Sequence, residues 1–148
     1  MKRTALVIMV LIVLLVIIVF VFYNYNKYDK ICFENSCFVI EVADNYIEQK
    51  KGLMFRKNLC PDCGMLFVYQ HEDNYKFWMK DTLISLDIIW MDKDFAIQYI
   101  VENSMPCENE ECRLYRPSLE IRSKYVLEVN SGISKKIGLK VGKKMVLK

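Results

Sequence analysis

The 148-residue chain sets 21 Lys+Arg against 18 Asp+Glu, a formal charge of only +3, and once Lys2 and Arg3 are put aside 19 basic residues face 18 acidic ones. That near-neutral balance, with no Gly-rich phosphate loop, speaks against a nucleic-acid or nucleotide partner. The one His, His71, sits in a polar turn-like cluster, which speaks against a Ser-His-Asp triad, and no further His joins the six cysteines as a metal set, so no metal or cofactor is expected.

In chain order, residues 1–4 read as a short cytoplasmic N-terminus. Residues 5–22 are an unbroken apolar run without charge, Gly or Pro. As a helix it reaches roughly 27 Å, close to the hydrocarbon thickness of a bilayer. A cleaved secretory signal is the alternative, but its apolar region is usually about 7–15 residues long and ends in a small-residue site that is missing here. A retained transmembrane anchor over 5–23 and a linker over 24–30 are therefore expected, with Tyr23, Tyr25 and Tyr28 suited to the membrane–water interface. Charges flanking the run decide orientation weakly. The cysteines decide it better: three close pairs, Cys32/Cys37, Cys60/Cys63 and Cys107/Cys112, suit an oxidising compartment, so the N-terminus is read as inside and residues 31–148 as extracytoplasmic. A cytosolic domain would instead make some of these thiols zinc ligands.

The segment after the linker reads as a hairpin turning at Glu34-Asn35, which would set Cys32 opposite Cys37 in a narrow antiparallel pair within disulfide reach. Asn45 with Glu48 predicts a helix start and Gly52 its stop. Apolar residues then alternate in five strings: Met65, Phe67, Tyr69; Tyr75, Phe77, Met79; Leu86, Ile88, Trp90; Phe95 to Val101; and Tyr125, Leu127, Val129. Turn-like clusters separate them, which predicts short strands rather than βαβ units. A second short helix is predicted over 131–137, ended by Gly138, and a last strand at 144–147. The expected fold is mainly β (α+β): a compact antiparallel β-sandwich or barrel-like domain with two short helices, preceded by one transmembrane helix.

Four strings in this order, GLMFR (52–56), GMLFVY (64–69), FWMKDTLISLDIIWMD (77–92) and YVLEVNSGISKKIGLKVG (125–142), resemble domain-of-unknown-function family 192. The resemblance runs over nearly the whole domain from about Phe38. It implies a compact, mainly β fold with short helices, often exported or membrane-tethered, and no established activity. Asp81 and Ser85 depart from the Asn and Pro common in the family. Cys107/Cys112, followed by Tyr115 and Pro117, resembles a cysteine pair often found in members, whereas the other two pairs look like additions in this chain.

Two classes of function follow. One is a binding or accessory module of the cell envelope, holding a small polar ligand, a glycan or an envelope protein. Its candidate residues are Trp78, Lys80, Asp81, Thr82 and Asp87, joined from the other strings by Arg56, Glu128 and Asn130. Trp78 alternates onto the strand face opposite Phe77 and Met79 and is expected to be exposed. The other class is an enzyme, less favoured: a thiol–disulfide oxidoreductase through Cys60/Cys63, or a hydrolase pairing carboxylates among Asp81, Asp87, Glu102 and Glu128. Against the first, Gly64 and a strand follow the C-x-x-C pair where a helix N-terminus is needed. Against the second, alternation along a strand would turn Asp87 and Glu128 to water. Nearest-neighbour disulfides are expected, as the simplest of the possible pairings.

Overall fold

The structure, a computed structural model, describes residues 9–19, 30–108 and 111–148. Residues 9–19 are helical (α1), with every side chain exposed. Among the described residues no helix is long and apolar enough to cross a membrane. The remainder of the expected anchor 5–23 and nearly all of the linker lie outside the described residues.

The domain opens on the expected hairpin. β1 (Lys30–Phe33) and β2 (Ser36–Ala43) pair antiparallel about Glu34-Asn35, and Glu34 takes a left-handed φ of 51° to close the turn. Cys32 and Cys37 stand opposite each other with Cα atoms 4.0 Å apart and are disulfide-bonded, as are Cys60–Cys63 and Cys107–Cys112. Each bridge closes a short loop, so each restricts the unfolded chain only modestly, by about 2 kcal/mol or less.

α2 (Tyr46–Lys51) starts where Asn45 accepts the Glu48 N–H at 3.1 Å. It stops at Gly52, whose φ of 47° and ψ of −134° favour a residue without Cβ. The chain then returns to β3 (Cys63–Asp73), which runs parallel to β2. Here the all-antiparallel expectation is corrected. A helical crossover joins β2 to β3, the connection that parallel pairing requires, and period-2 alternation carries no sign of pairing direction.

β4 (Phe77–Trp78), β5 (Leu86–Met91), β6 (Ile97–Ser104), β7 (Leu114–Tyr115), β8 (Ser123–Asn130), α3 (Ile133–Lys136) and β9 (Val146–Leu147) follow. Seven strands form one mixed sheet in the order β6-β5-β8-β3-β2-β1-β9, while β4 and β7 pair as a separate ribbon. The 81–85 segment carries the chain from ribbon to sheet.

The sheet curls into a half-barrel. The start of β6 meets the segment ahead of β9, where Ile97 N–H donates to the Lys143 carbonyl and Gly142 N–H to the Ile97 carbonyl, both at 2.8 Å. Ile31 and Ile97, near opposite edges, share one core with Phe38, Leu66, Ile89, Leu127 and Val129, which places that core inside the curl. The other face carries a second core, with Met65, Phe67, Leu86, Ile88 and Trp90 lying against Leu53, Phe77 and Met79. Central strands are thus covered on both sides, and all six residues of β5 are buried. Asp87 and Glu128 accordingly do not point to water: they are 0% and 4% exposed. Packing is close where β3 passes β8, since a Cβ on Gly64 would stand 2.8 Å from the Glu128 backbone carbonyl.

Candidate functional site

Asp87 and Glu128 lie on opposite faces of the sheet. Asp87 stands opposite Val129, on the inner face, and Glu128 stands opposite Ile88, on the outer one. Asp87 is fully engaged there. Its Oδ1 accepts the N–H groups of Asn103 at 2.9 Å and Gly132 at 3.1 Å, and its Oδ2 accepts the Ser134 N–H at 2.8 Å. Those bonds tie the end of β6 and the start of α3 to β5, so this carboxylate is a structural post. The two carboxylates cannot act on one bond, and Glu102 is exposed on β6.

Glu128 has the opposite character. It lines a cavity of about 30 Å³ with Gln49, Lys50, Lys51, Gly52, Leu53, Met54, Phe67, Phe77, Trp78 and Thr82. Among the described residues no hydrogen bond or ion pair reaches its carboxyl, and burial pushes its pKa up to about 8. At neutral pH it is mostly a neutral acid, able to donate as well as accept. Burial also holds the Tyr69 phenol above its ordinary range, with Tyr75, stacked on it at 3.5 Å, and Glu128 adding to the rise.

Local structure explains the rest of the lining. α2 is pinned over β3 by Gln49, whose Nε2 donates to the Val68 carbonyl at 2.8 Å. Gly52 turns the chain so that Leu53 and Met54 roof the cavity. The roof is held to the β4 side by the Phe55 N–H, which donates to the Asp81 carbonyl at 2.7 Å. Both of these residues are left-handed, with φ of 64° and 54°, and Phe55 is exposed. Left-handed backbone at a non-Gly aromatic is uncommon and costs energy that the surrounding structure must offset. Thr82 is buried, while Trp78 is 42% exposed, as its alternation predicts. Lys80 Nζ lies 5.8 Å from the indole centroid.

Three of the eight candidates, Trp78, Thr82 and Glu128, therefore meet at one cavity, with Lys80 beside it. Arg56 lies next door, in a larger pocket of about 180 Å³ that shares Lys51 and Gly52, and forms a two-pronged ion pair with Glu41. This pair holds the Glu41 carboxyl below its usual range. Asp81 contributes backbone, accepting from Phe55 and donating its N–H to the Cys107 carbonyl at 2.9 Å. Asn130 donates to the carbonyls of Leu59 and Cys60 at 3.1 and 2.9 Å, fastening the loop before β3. The α2 residues Gln49, Lys50 and Lys51 were not among the candidates. Their one sequence signal is the helix stop at Gly52, which abuts the GLMFR string. Among the described residues no group of His, Cys, Asp and Glu could hold a metal ion.

The family model for DUF192 (Uncharacterized ACR) matches residues 30–147. The chain belongs to the DUF192 family. It is similar to a protein of unknown function from Novosphingobium aromaticivorans DSM 12444, with 32% identity over 79% of this chain and 83% of that one and a TM-score of 0.71. It is also similar to a protein from Sinorhizobium meliloti 1021 titled a "putative transcription regulator", with 28% identity over 80% and 90% of the two chains and a TM-score of 0.69. No curated protein matches the chain. All four strings that carry the DUF192 resemblance contribute to the cavity: Gly52, Leu53 and Met54 from the first, Phe67 from the second, Phe77, Trp78 and Thr82 from the third, and Glu128 from the fourth.

Proposed function

We propose that this DUF192 domain is a binding module of the cell envelope that holds a hydroxyl-bearing ligand, a glycan or related polar molecule, at the Glu128 cavity. The observation that carries the reading is the Glu128 carboxyl itself, 4% exposed, unpaired and lining a cavity. A buried polar group without a partner costs stability, and such a group in a concave site is kept where a ligand completes its hydrogen bonds. The cavity volume limits what enters. About 30 Å³ admits one or two waters or a single small group. The body of the ligand then rests outside, against the exposed indole of Trp78, while one hydroxyl or hydroxymethyl arm reaches Glu128 and Thr82. In a saturation-transfer NMR and thermal-shift screen of neutral and acidic oligosaccharides, we expect at least one binder, lost in Trp78→Ala. A screen in which no saccharide binds the wild-type protein would overturn the reading.

A thiol–disulfide oxidoreductase is the second reading, favoured by one observation: Cys60 is exposed at the surface. Against it, Cys63 opens a strand, so no helix N-terminus stabilises a thiolate. The near-neutral charge of the domain gives no support to a nucleic-acid partner.

We further propose that the chain is tethered by a single N-terminal helix, N-terminus inside and domain outside. The eleven residues 9–19 are all apolar, helical and exposed, and a helix apolar all round needs an apolar surrounding. Three disulfides suit the oxidising side. Protease added to intact cells is expected to remove the domain. Full protection, with cleavage only after lysis, would reverse the orientation.

A further inference from the structure

We infer that the ligand of the Glu128 cavity is an acidic saccharide, a sugar carrying a carboxylate, with its charge held at the cavity rim by Lys50 and Lys51 and an uncharged hydroxyl arm inside. This rests on the reading of the cavity as a saccharide site and adds the ligand's charge to it.

The distribution of charge around the cavity carries the inference. Lys50 and Lys51, at the end of α2, line it and are exposed; the Lys50 ammonium lies 6.0 Å from the Tyr46 ring centroid, and Lys51 also faces Glu41 in the neighbouring pocket. Lys80 places a third ammonium over the Trp78 ring. Among the described residues Glu128 is the only acidic one in the lining, which it shares with Phe67, Phe77 and Leu53. Glu41, in the neighbouring pocket with Lys51, is paired with Arg56. The mouth is therefore positive and the interior uncharged. A carboxylate driven to the bottom would lose its hydration among apolar side chains with no cation touching it there, which is costly. At the rim the same carboxylate keeps part of its water and meets two ammonium groups. A neutral sugar would leave these lysines unused. A cationic ligand would meet them as like charges, and Glu128 is too buried to offset that.

The aromatic ring sets the ligand's shape. Trp78 is 42% exposed and lines the cavity with Lys80 over its ring, so the exposed part of the indole can lie against the apolar C–H face of a pyranose. A ring carboxylate on the edge towards α2 then falls beside Lys50 and Lys51 while a hydroxyl on the opposite edge points inward.

The test uses matched probes on the full chain in detergent: galacturonate and glucuronate oligosaccharides, their methyl esters, and N-acetylmuramic acid beside N-acetylglucosamine, titrated by calorimetry. The acid of at least one pair is expected to bind about tenfold tighter than its neutral partner. That preference should shrink as ionic strength rises and vanish in the Lys50→Gln, Lys51→Gln double variant. Equal binding of acid and neutral forms would overturn the acidic class and leave the saccharide reading standing. If no member of any pair binds, both fall. The two lysines are exposed, and an unchanged melting temperature for the double variant separates lost charge from lost fold.

Discussion

Glu128→Gln is expected to make the protein more stable, by about 2–3 kcal/mol at pH 7, and to abolish ligand binding. The folded carboxyl has a pKa of about 8 against 4.5 for an unperturbed one, with burial as the cause. Below pH 4.5 both folded and unfolded chains hold the proton, and Glu128 contributes no pH dependence. Between 4.5 and about 8 the unfolded chain releases the proton while the folded chain keeps it, so wild-type stability falls as pH rises. Above about 8 both states are ionised and the loss levels off. Gln carries no titrating proton, so the difference in stability between variant and wild type should open from about zero near pH 4.5 and grow towards pH 8. Of the groups facing Glu128, Tyr69 on β3 is held above its ordinary range by burial and so titrates above this window. Denaturant melts at several pH values measure the effect directly, and at neutral pH it corresponds to roughly 10 °C in Tm. A pH-independent difference, or a variant less stable than wild type at pH 7, would show that the carboxyl has a partner and is structural. A residue that costs stability where it stands, and whose replacement gains it, belongs to function rather than to folding.

The second large effect has the opposite sign. Asp87→Ala should destabilise the fold by about 3–5 kcal/mol, because it leaves the N–H groups of Asn103, Gly132 and Ser134 without their acceptor in a closed site. Asp87→Asn keeps one carbonyl oxygen and should cost less, about 2 kcal/mol. Binding at the Glu128 cavity should persist in either variant while the fold holds, since Asp87 faces the other side of the sheet. An Asp87→Ala protein that melts like wild type but no longer binds would place Asp87 in the site after all. The two substitutions together separate two carboxyls that sit in similar strings, LDII and LEVN, and have unlike surroundings.

Those two strings mark where reading the sequence ends. Much of the local structure is legible in it, because its causes are local. A two-residue turn brings Cys32 opposite Cys37, an Asn cap opens α2, a glycine closes it, and alternation puts Trp78 on the face away from Phe77. Cysteine pairing follows from short loops in the same way. Alternation also reveals which residues share a face. It is silent on what lies over that face, and a polar residue between two apolar ones looks solvated whenever the covering layer comes from elsewhere in the chain. Here α2 with the roof after it, and the β4–β7 ribbon, supply that layer from positions far from Glu128, while α3 and the curl of the sheet seal the side of Asp87. The parallel pairing of β2 with β3 belongs to the same level, since a crossover, not a residue pattern, sets strand direction. Which carboxyl became a bonded post and which was left bare in a cavity was thus decided by tertiary packing: identical local patterns gain different burial and different partners only when distant segments close over them.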